Sequence, residues 1–326
     1  MLRARIISTG SYVPEKILTN KDIEKFVETT DEWITGRTGI RARRIAAEGE
    51  AASDMAYHAS VRALEGAGIN AEDLDLILVG TFTPDMPFPS TGCFLQAKLG
   101  ATNAVGFDLQ ATCSGFLYAL SVADAYIKSG RYRKVLVVGV DLLSRFLNWE
   151  DRSTCVLFGD GAGAVIMEPT EGDTGLIDVE IGSDGRLAEI LYIPGGGSRY
   201  PASEDTVREH KHSIHMVGSE VFKVAVKTME RISVEILEKN GIDPSEVDYI
   251  VPHQANFRII QAVANRLNMP MDKVIVNLDK YGNTSAGTIP IALDEAMRAG
   301  QLKSGDLVLM ASFGGGLTWA SAIIRL

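Results

Sequence analysis

The feature that most constrains this chain is an internal repeat. "ALEGAGINAEDLD" at 63–75 lies without gaps on "ILEKNGIDPSEVD" at 236–248, an offset of 173 residues, with Leu64/Leu237, Glu65/Glu238, Gly68/Gly241, Ile69/Ile242 and Asp75/Asp248 identical. Each copy reads as a helix stopped by a glycine, then a turn, then a buried apolar strand. A second pair, "TCSG" at 112–115 and "TSAG" at 284–287, falls at an offset of 172, and each copy leads into a helical run ending near "KSG" (128–130) or "RAG" (298–300). Two offsets this close, each about half of the 326 residues, predict two similar halves, 1–170 and 171–326, packed as pseudo-twofold partners and joined near the turn-rich "EPTEGDTG" at 168–175. A pocket between such halves draws residues from both.

Apolar runs at 74–81, 133–140, 163–167, 247–253 and 305–313 alternate with helical stretches, the pattern of a layered α/β fold with buried strands. With 46% hydrophobic and 23% charged residues the chain can bury a large core. Its formal charge of -10 argues against a sequence-independent grip on nucleic acid, which needs basic surface. Cys93, Cys113 and Cys155 cannot all pair with one another and none sits in a CxxC, so neither a disulfide scaffold nor a zinc site is expected. The N-terminal stretch holds only Ile6-Ile7 where a signal peptide needs roughly seven or more apolar residues, and no segment approaches a membrane span. A soluble, cytoplasmic protein is expected.

Cys113 opens the helix of the first half, where unpaired N–H groups and the positive end of the helix dipole lower a thiol pKa and raise the thiolate fraction. Small neighbours, Ser114 and Gly115, leave room for a substrate, whereas Cys93 and Cys155 read as packing. His253 directly follows the strand "VDYIV", at the strand end where open α/β sheets place ligand-facing residues. His58 reads as a helix-face residue. His210, His212 and His215 lie in a long polar segment without the ligand spacing of a metal site. Asn283, in "YGNTSAG", stands two residues before the position that the 172 offset matches to Cys113. "SFGGGLTW" at 312–319 places Gly314 to Gly316 after a strand, a turn that exposes N–H groups of the kind an oxyanion hole uses. "GDGAG" at 159–163 leads into a strand-like "AVIM", which rules out the dinucleotide-binding fingerprint.

"DEWITGRTGI", "ATCSGF", "FGDGAGA", "PHQAN", "YGNTSAG" and "SFGGGLTW" occur in this order, and the chain thereby resembles β-ketoacyl-acyl carrier protein synthase III, the initiating condensing enzyme of bacterial fatty acid synthesis. The resemblance covers nearly the whole chain. It implies a thiolase-like fold, two duplicated α/β halves in five α-β-α-β-α layers, usually as a homodimer. It implies a catalytic Cys113, His253 and Asn283: the cysteine takes an acyl group from acyl-CoA, and the other two hold the thioester carbonyl of malonyl-acyl carrier protein during decarboxylation. The same matching gives the Cys113 amide and Gly315 the oxyanion, Phe313 a place beside the thiol, and Asn256 the orientation of His253. Trp33 and Arg152 would sandwich the CoA adenine with Thr29 and Arg37 nearby, and Phe88 would close the partner's acyl pocket. Leu157, Phe158 and Met216 would wall the acyl pocket, and Lys223, Lys227 and Arg258 would dock the acidic carrier protein. No cofactor or metal is implied, acyl-CoA being a substrate. The segment 195–215 is left without an expected shape.

A Cys–His–Asn order also describes papain-like proteases, but their CGSCW-like signature is absent and they predict no duplication. A relative using the same triad on another acceptor, such as a quinolone or polyketide starter synthase, is the enzymatic alternative; elongating synthases use two histidines, against Asn283. An inactive acyl-carrier or CoA-binding module is the alternative outside enzymes.

Overall fold

The structure, a computed structural model, describes residues 2–326. Its organising elements are two mixed sheets of the same design. The first runs in the order Leu2–Tyr12, Asp160–Glu171, Val135–Leu142, Leu76–Gly80, Val105–Leu109; the second in the order Gly175–Ser183, Thr318–Arg325, Leu307–Gly314, Tyr249–Pro252. In both, two antiparallel pairings are followed by parallel pairing toward the inner edge. The fifth strand of the second sheet is reduced to a single parallel bridge, Ile250 to Val274.

Between the sheets lie helices Gly115–Lys128 and Thr288–Arg298, whose apolar residues share one core with the inner faces of both. Phe116, Leu117, Ile289 and Leu293 are almost wholly buried there, each contributing about 1.5–3 kcal/mol of transfer free energy. Helices Ala52–Ala67 and Thr91–Leu99 cover the outer face of the first sheet, and Gly218–Asn240 with Phe257–Arg266 cover the second. The result is five layers, α-β-α-β-α. The turn Ser285–Gly287 lies so close to the first sheet that strand Val135–Leu142 must lack a side chain at Gly139, where a Cβ would fall on the Ala286 carbonyl.

The structure corrects the register of the second repeat. The turn Thr112–Ser114 feeds the helix at Gly115, and Ser285–Gly287 feeds the helix at Thr288, both 173 residues apart. Thr112 and Ser285, at φ 46° and 51°, are the matching left-handed residues. Cys113 therefore corresponds to Ala286, and Asn283 to Gln110, not to the positions that the small-residue likeness of TCSG and TSAG suggests. Four-residue matches between Thr, Ser, Ala and Gly carry too little volume difference to set a register. Among the described residues no helix is long and apolar enough to cross a membrane.

Candidate active site

The strands end where the two halves meet, and the candidate groups sit on those ends. His253 follows Tyr249–Pro252, its N–H bonded to the Ala311 carbonyl at 2.8 Å. The next strand, Leu307–Gly314, carries Phe313 and leads to Gly315. Asn283 is clamped from both sides: its N–H donates to the Leu157 carbonyl at 2.9 Å, and its own carbonyl accepts from the Gly159 N–H at 3.0 Å. Gly314 must lack a side chain, since a Cβ there would lie 2.8 Å from the Cys113 nitrogen. Cys113, His253, Asn283, Phe313 and Gly315 together line one cavity of about 850 Å³, whose remaining wall is mostly apolar and includes Leu157, Phe158, Met216 and Asn256.

Electrostatics here are dominated by dehydration. Burial pushes the Cys113 thiol up to about 12, the Asp141 carboxylate adding to the rise while a contact with Ser285 Oγ at 3.4 Å opposes it. The expected lowering by a helix start is outweighed, because the thiolate loses more solvation than the turn returns. Burial alone brings His253 down to about 3, so its ring is neutral. Its Nδ1 meets Thr288 Oγ1 at 2.7 Å, and that hydroxyl also lies 3.0 Å from the Ser285 carbonyl. The hydroxyl has one proton: donated to the Ser285 carbonyl, it leaves Nδ1 as the ring's donor; turned to Nδ1, it leaves the ring N–H on Nε2. The Asn283 Oδ1 accepts from the Ser285 N–H at 2.8 Å, which leaves its amide nitrogen as the unengaged donor. A buried thiol thus shares one cavity with a neutral imidazole and an asparagine amide.

Comparison with known proteins decides the family. The model described as 3-oxoacyl-[acyl-carrier-protein] synthase III matches residues 107–185, around Cys113, and the one for its C-terminal region matches 237–326, which contain His253, Asn283 and Gly315. A β-ketoacyl-[acyl-carrier-protein] synthase III of Caldanaerobacter subterraneus subsp. tengcongensis is 55% identical over 324 residues, covering 99% of this chain and 98% of the relative. The chain belongs to the β-ketoacyl-acyl carrier protein synthase III family. The crystal structure of 3-oxoacyl-[acyl-carrier-protein] synthase III from Aquifex aeolicus VF5 superimposes with a TM-score of 0.92 at 50% identity, covering 99% of this chain and 100% of that one. The priming β-ketosynthase of the R1128 polyketide pathway also has a TM-score of 0.92, at 36% identity, with 99% of this chain and 96% of that one covered. This synthase is accordingly a condensing acyltransferase of fatty acid synthesis with the thiolase-like fold.

Apart from Asn256, the other expected positions in the synthase lie around rather than inside the cavity. Trp33 is 38% exposed, with the Arg152 guanidinium 4.9 Å over its ring and that of Arg37 at 5.9 Å. Arg152 also donates to the Glu28 carbonyl at 3.0 Å. Next to them, Thr29 Oγ1 is buried without a hydrogen-bond partner. Asn256 does not orient His253: its Oδ1 caps the Phe257–Arg266 helix by accepting from the Arg258 N–H, and its amide donates to the Arg37 carbonyl at 3.2 Å. The orienting contact comes from Thr288. Arg258 donates to the Gly36 carbonyl, and Lys223 and Lys227 are exposed on helix Gly218–Asn240. Phe88 is 83% exposed, its neighbours Met86 and Pro87 lining the cavity. Cys155 is buried, but Cys93 is exposed at the start of helix Thr91–Leu99 and is not packing material.

Three features escaped the sequence reading. The polar segment forms a wall: Leu191–Tyr192 pairs with His215–Met216, the Gly195 N–H donates to the Lys211 carbonyl, and Gly195 to Gly197, His212 and Ile214 face the cavity. Its histidines are engaged internally, His212 with Thr206 and His215 with the His210 carbonyl, and among the described residues no cluster suited to a metal exists. Thr288 carried no motif. Asp141, fully buried beside Cys113 and held up to about 6 by burial, ends the apolar run "VLVVGVD". A lone carboxylate in a buried strand is the signal that marks it, since such a charge must be hydrogen-bonded.

Proposed function

We propose that this synthase acylates Cys113 from a short acyl-CoA, acetyl or branched, and condenses that acyl group with malonyl-acyl carrier protein, giving 3-oxoacyl-acyl carrier protein, CoA and carbon dioxide. The observation that carries the reading is one cavity in which a thiol from the first half faces a neutral histidine and an asparagine donor from the second. In the first step the Cys113 sulfur attacks the thioester carbonyl and CoA leaves. In the second, His253 Nε2–H and the Asn283 amide hold the malonyl thioester oxygen, and their hydrogen bonds strengthen as carbon dioxide departs and enolate charge gathers there. The carbanion then attacks the acyl-Cys113 carbonyl, whose oxygen is held by the Cys113 and Gly315 N–H groups. A neutral His253 suits this role, because a cation there would pair with the malonyl carboxylate and oppose its loss.

Trp33 and Arg152 would receive the adenine of CoA, which requires Arg152 to swing off the ring it covers, while Arg37 and Thr29 meet the phosphates and ribose. Leu157, Phe158 and Met216 form the acyl wall. Phe88, exposed on a loop whose neighbours line the cavity, would complete the pocket of a second copy in a homodimer. Lys223, Lys227 and Arg258 would receive the acidic carrier protein in the cytoplasm. The reaction draws on no cofactor. Identity of 55% to a fatty acid enzyme against 36% to a polyketide priming enzyme favours the fatty acid role. Incubation with acetyl-CoA or a branched short acyl-CoA should add one acyl mass to the Cys113 peptide, and malonyl-acyl carrier protein should then discharge it as the 3-oxoacyl product. Absence of any adduct with the whole primer panel would overturn the assignment.

A further inference from the structure

The acylation step leaves one question open: where the proton of a deeply buried thiol goes. His253 is a poor acceptor, being held neutral by burial to about pH 3 and oriented through Thr288. Ser285 Oγ lies against the sulfur, 3.4 Å away. Ser285 sits at φ 51°, a left-handed conformation that costs a serine roughly 1–2 kcal/mol. Strain of this kind persists where the surroundings hold a residue for a purpose. Behind Ser285 stands Asp141, wholly buried and bonded through its Oδ2 to the N–H of the next residue, Ala286, at 3.2 Å, which sets the carboxylate beside the serine. Asp141 Oδ1 accepts from Thr81 Oγ1 at 3.0 Å, the Phe82 N–H at 2.9 Å, and Thr83 N–H and Oγ1 at 3.2 and 2.9 Å. Its Oδ2 has one backbone donor, Ala286 N–H, at 3.2 Å. One oxygen is saturated, and the other has room for a further donor.

We propose that Ser285 Oγ and the Asp141 carboxylate form a proton relay for Cys113, with Ser285 touching the sulfur and Asp141 acting through it. The thiol proton passes to Ser285 Oγ as the serine proton passes to Asp141. A Cys113 S–C bond forms at the thioester carbonyl, the C–S bond to CoA breaks, and the CoA sulfur recovers the proton along the same path. The relay joins the halves, with Asp141 and Cys113 from the first and Ser285 from the second.

The neighbouring titratable groups do not substitute for it. Asp160 on the adjacent strand is taken up by Ser144 and the Ala46 N–H, Asp85 by Ser53 and Thr91, and Asp108 by the Thr91 and Gly92 N–H groups. His212 is bound to Thr206. With Asp141 titrating near 6, relay-dependent reactivity is lost as pH falls through that value.

The inference rests on Cys113 being the acylated residue, so its test uses a second reagent independent of that reading. Rates of Cys113 modification by acetyl-CoA and by iodoacetamide are measured from pH 5 to 9 by quenched-flow mass spectrometry, for wild type, Ser285→Ala, Ser285→Gly and Asp141→Asn. Glycine suits the left-handed backbone and guards against loss of fold. Wild type should show a limb falling below about pH 6. The Ser285 variants should react roughly 10²-fold more slowly at pH 7 and lose that limb, and Asp141→Asn should lose it too. Wild-type rates and profiles in both Ser285 variants, or a loss equal at every pH, would overturn the relay. Failure of wild type with acyl-CoA alone would instead overturn the acyl-CoA reading, while the iodoacetamide series still decides the relay.

Discussion

The two turns that feed the central helices share a backbone and divide the chemistry. Thr112–Ser114 and Ser285–Gly287 each begin with a left-handed non-glycine residue and each end in a buried helix. At the matched second position the first half places Cys113 and the second places Ala286, whose N–H is spent on Asp141. In the proposed reaction the first turn supplies the nucleophile; the second supplies the frame around it, through Ser285, the Ser285 N–H that holds Asn283, and the Thr288 hydroxyl that meets His253. The duplication thus repeats geometry and not function. Each copy is relieved of half the task, and the site is complete only where both meet.

The comparison can be broken most severely at the first turn. Gly314→Ala would drive a methyl against the Cys113 amide and Cβ; displacing a nucleophile by even 1 Å costs on the order of 10²-fold, so acylation should fall by about that much in a single-turnover assay. Decarboxylation of malonyl-acyl carrier protein, which the proposal gives to His253 and Asn283, should fall far less. At the second turn, Thr288→Val keeps shape and removes the hydroxyl that meets His253 Nδ1. Decarboxylation should drop roughly 10- to 100-fold with acylation nearly intact, as the two partial reactions measured separately would report.

pH sharpens the same division. A histidine whose folded pKa is lowered to about 3 stays neutral through pH 5–7, so the decarboxylation rate should show no limb near the ordinary histidine value of roughly 6.5. The stability consequence has the opposite sign to that of an ion pair: as pH falls below about 6.5 the unfolded chain binds a proton that the folded chain refuses, and this group then lowers stability. A limb at 6.5 that moves in Thr288→Val would contradict the assignment. The smallest effect belongs to the exposed surface. Lys223→Glu with Lys227→Glu should raise KM for malonyl-acyl carrier protein several-fold at low salt, fading as salt screens the charges, with KM for acyl-CoA unchanged.

Much of this was legible in the residues. The offset of 173, the five apolar runs and the placement of Cys113, His253 and Asn283 at element ends follow from periodicity and breakers, which act locally. What was hidden depends on three-dimensional context. The dehydration that reverses the pKa shift of Cys113 is set by how tightly the halves close, which no window of sequence contains. Thr288 and Ser285 look like ordinary small residues in a helix start. The 195–215 segment is polar because much of it is solvent-facing, yet its strand pair His215–Met216 closes the cavity through contacts with Leu191 and Tyr192, residues more than twenty positions away. Asn256 was matched to the wrong task because a polar residue three positions after His253 suits either a cap or an orienting contact, and only the helix geometry separates the two.

The central claim, that Cys113 carries the acyl group while His253 and Asn283 carry decarboxylation, is tested most directly by measuring carbon dioxide release from malonyl-acyl carrier protein and acyl-enzyme formation in two variants side by side. Cys113→Ala should abolish acylation, a loss approaching the roughly 10⁶-fold typical of removing a nucleophile, while still releasing carbon dioxide; Asn283→Ala should still be acylated at Cys113 and release little. Loss of both activities in both variants would contradict the division.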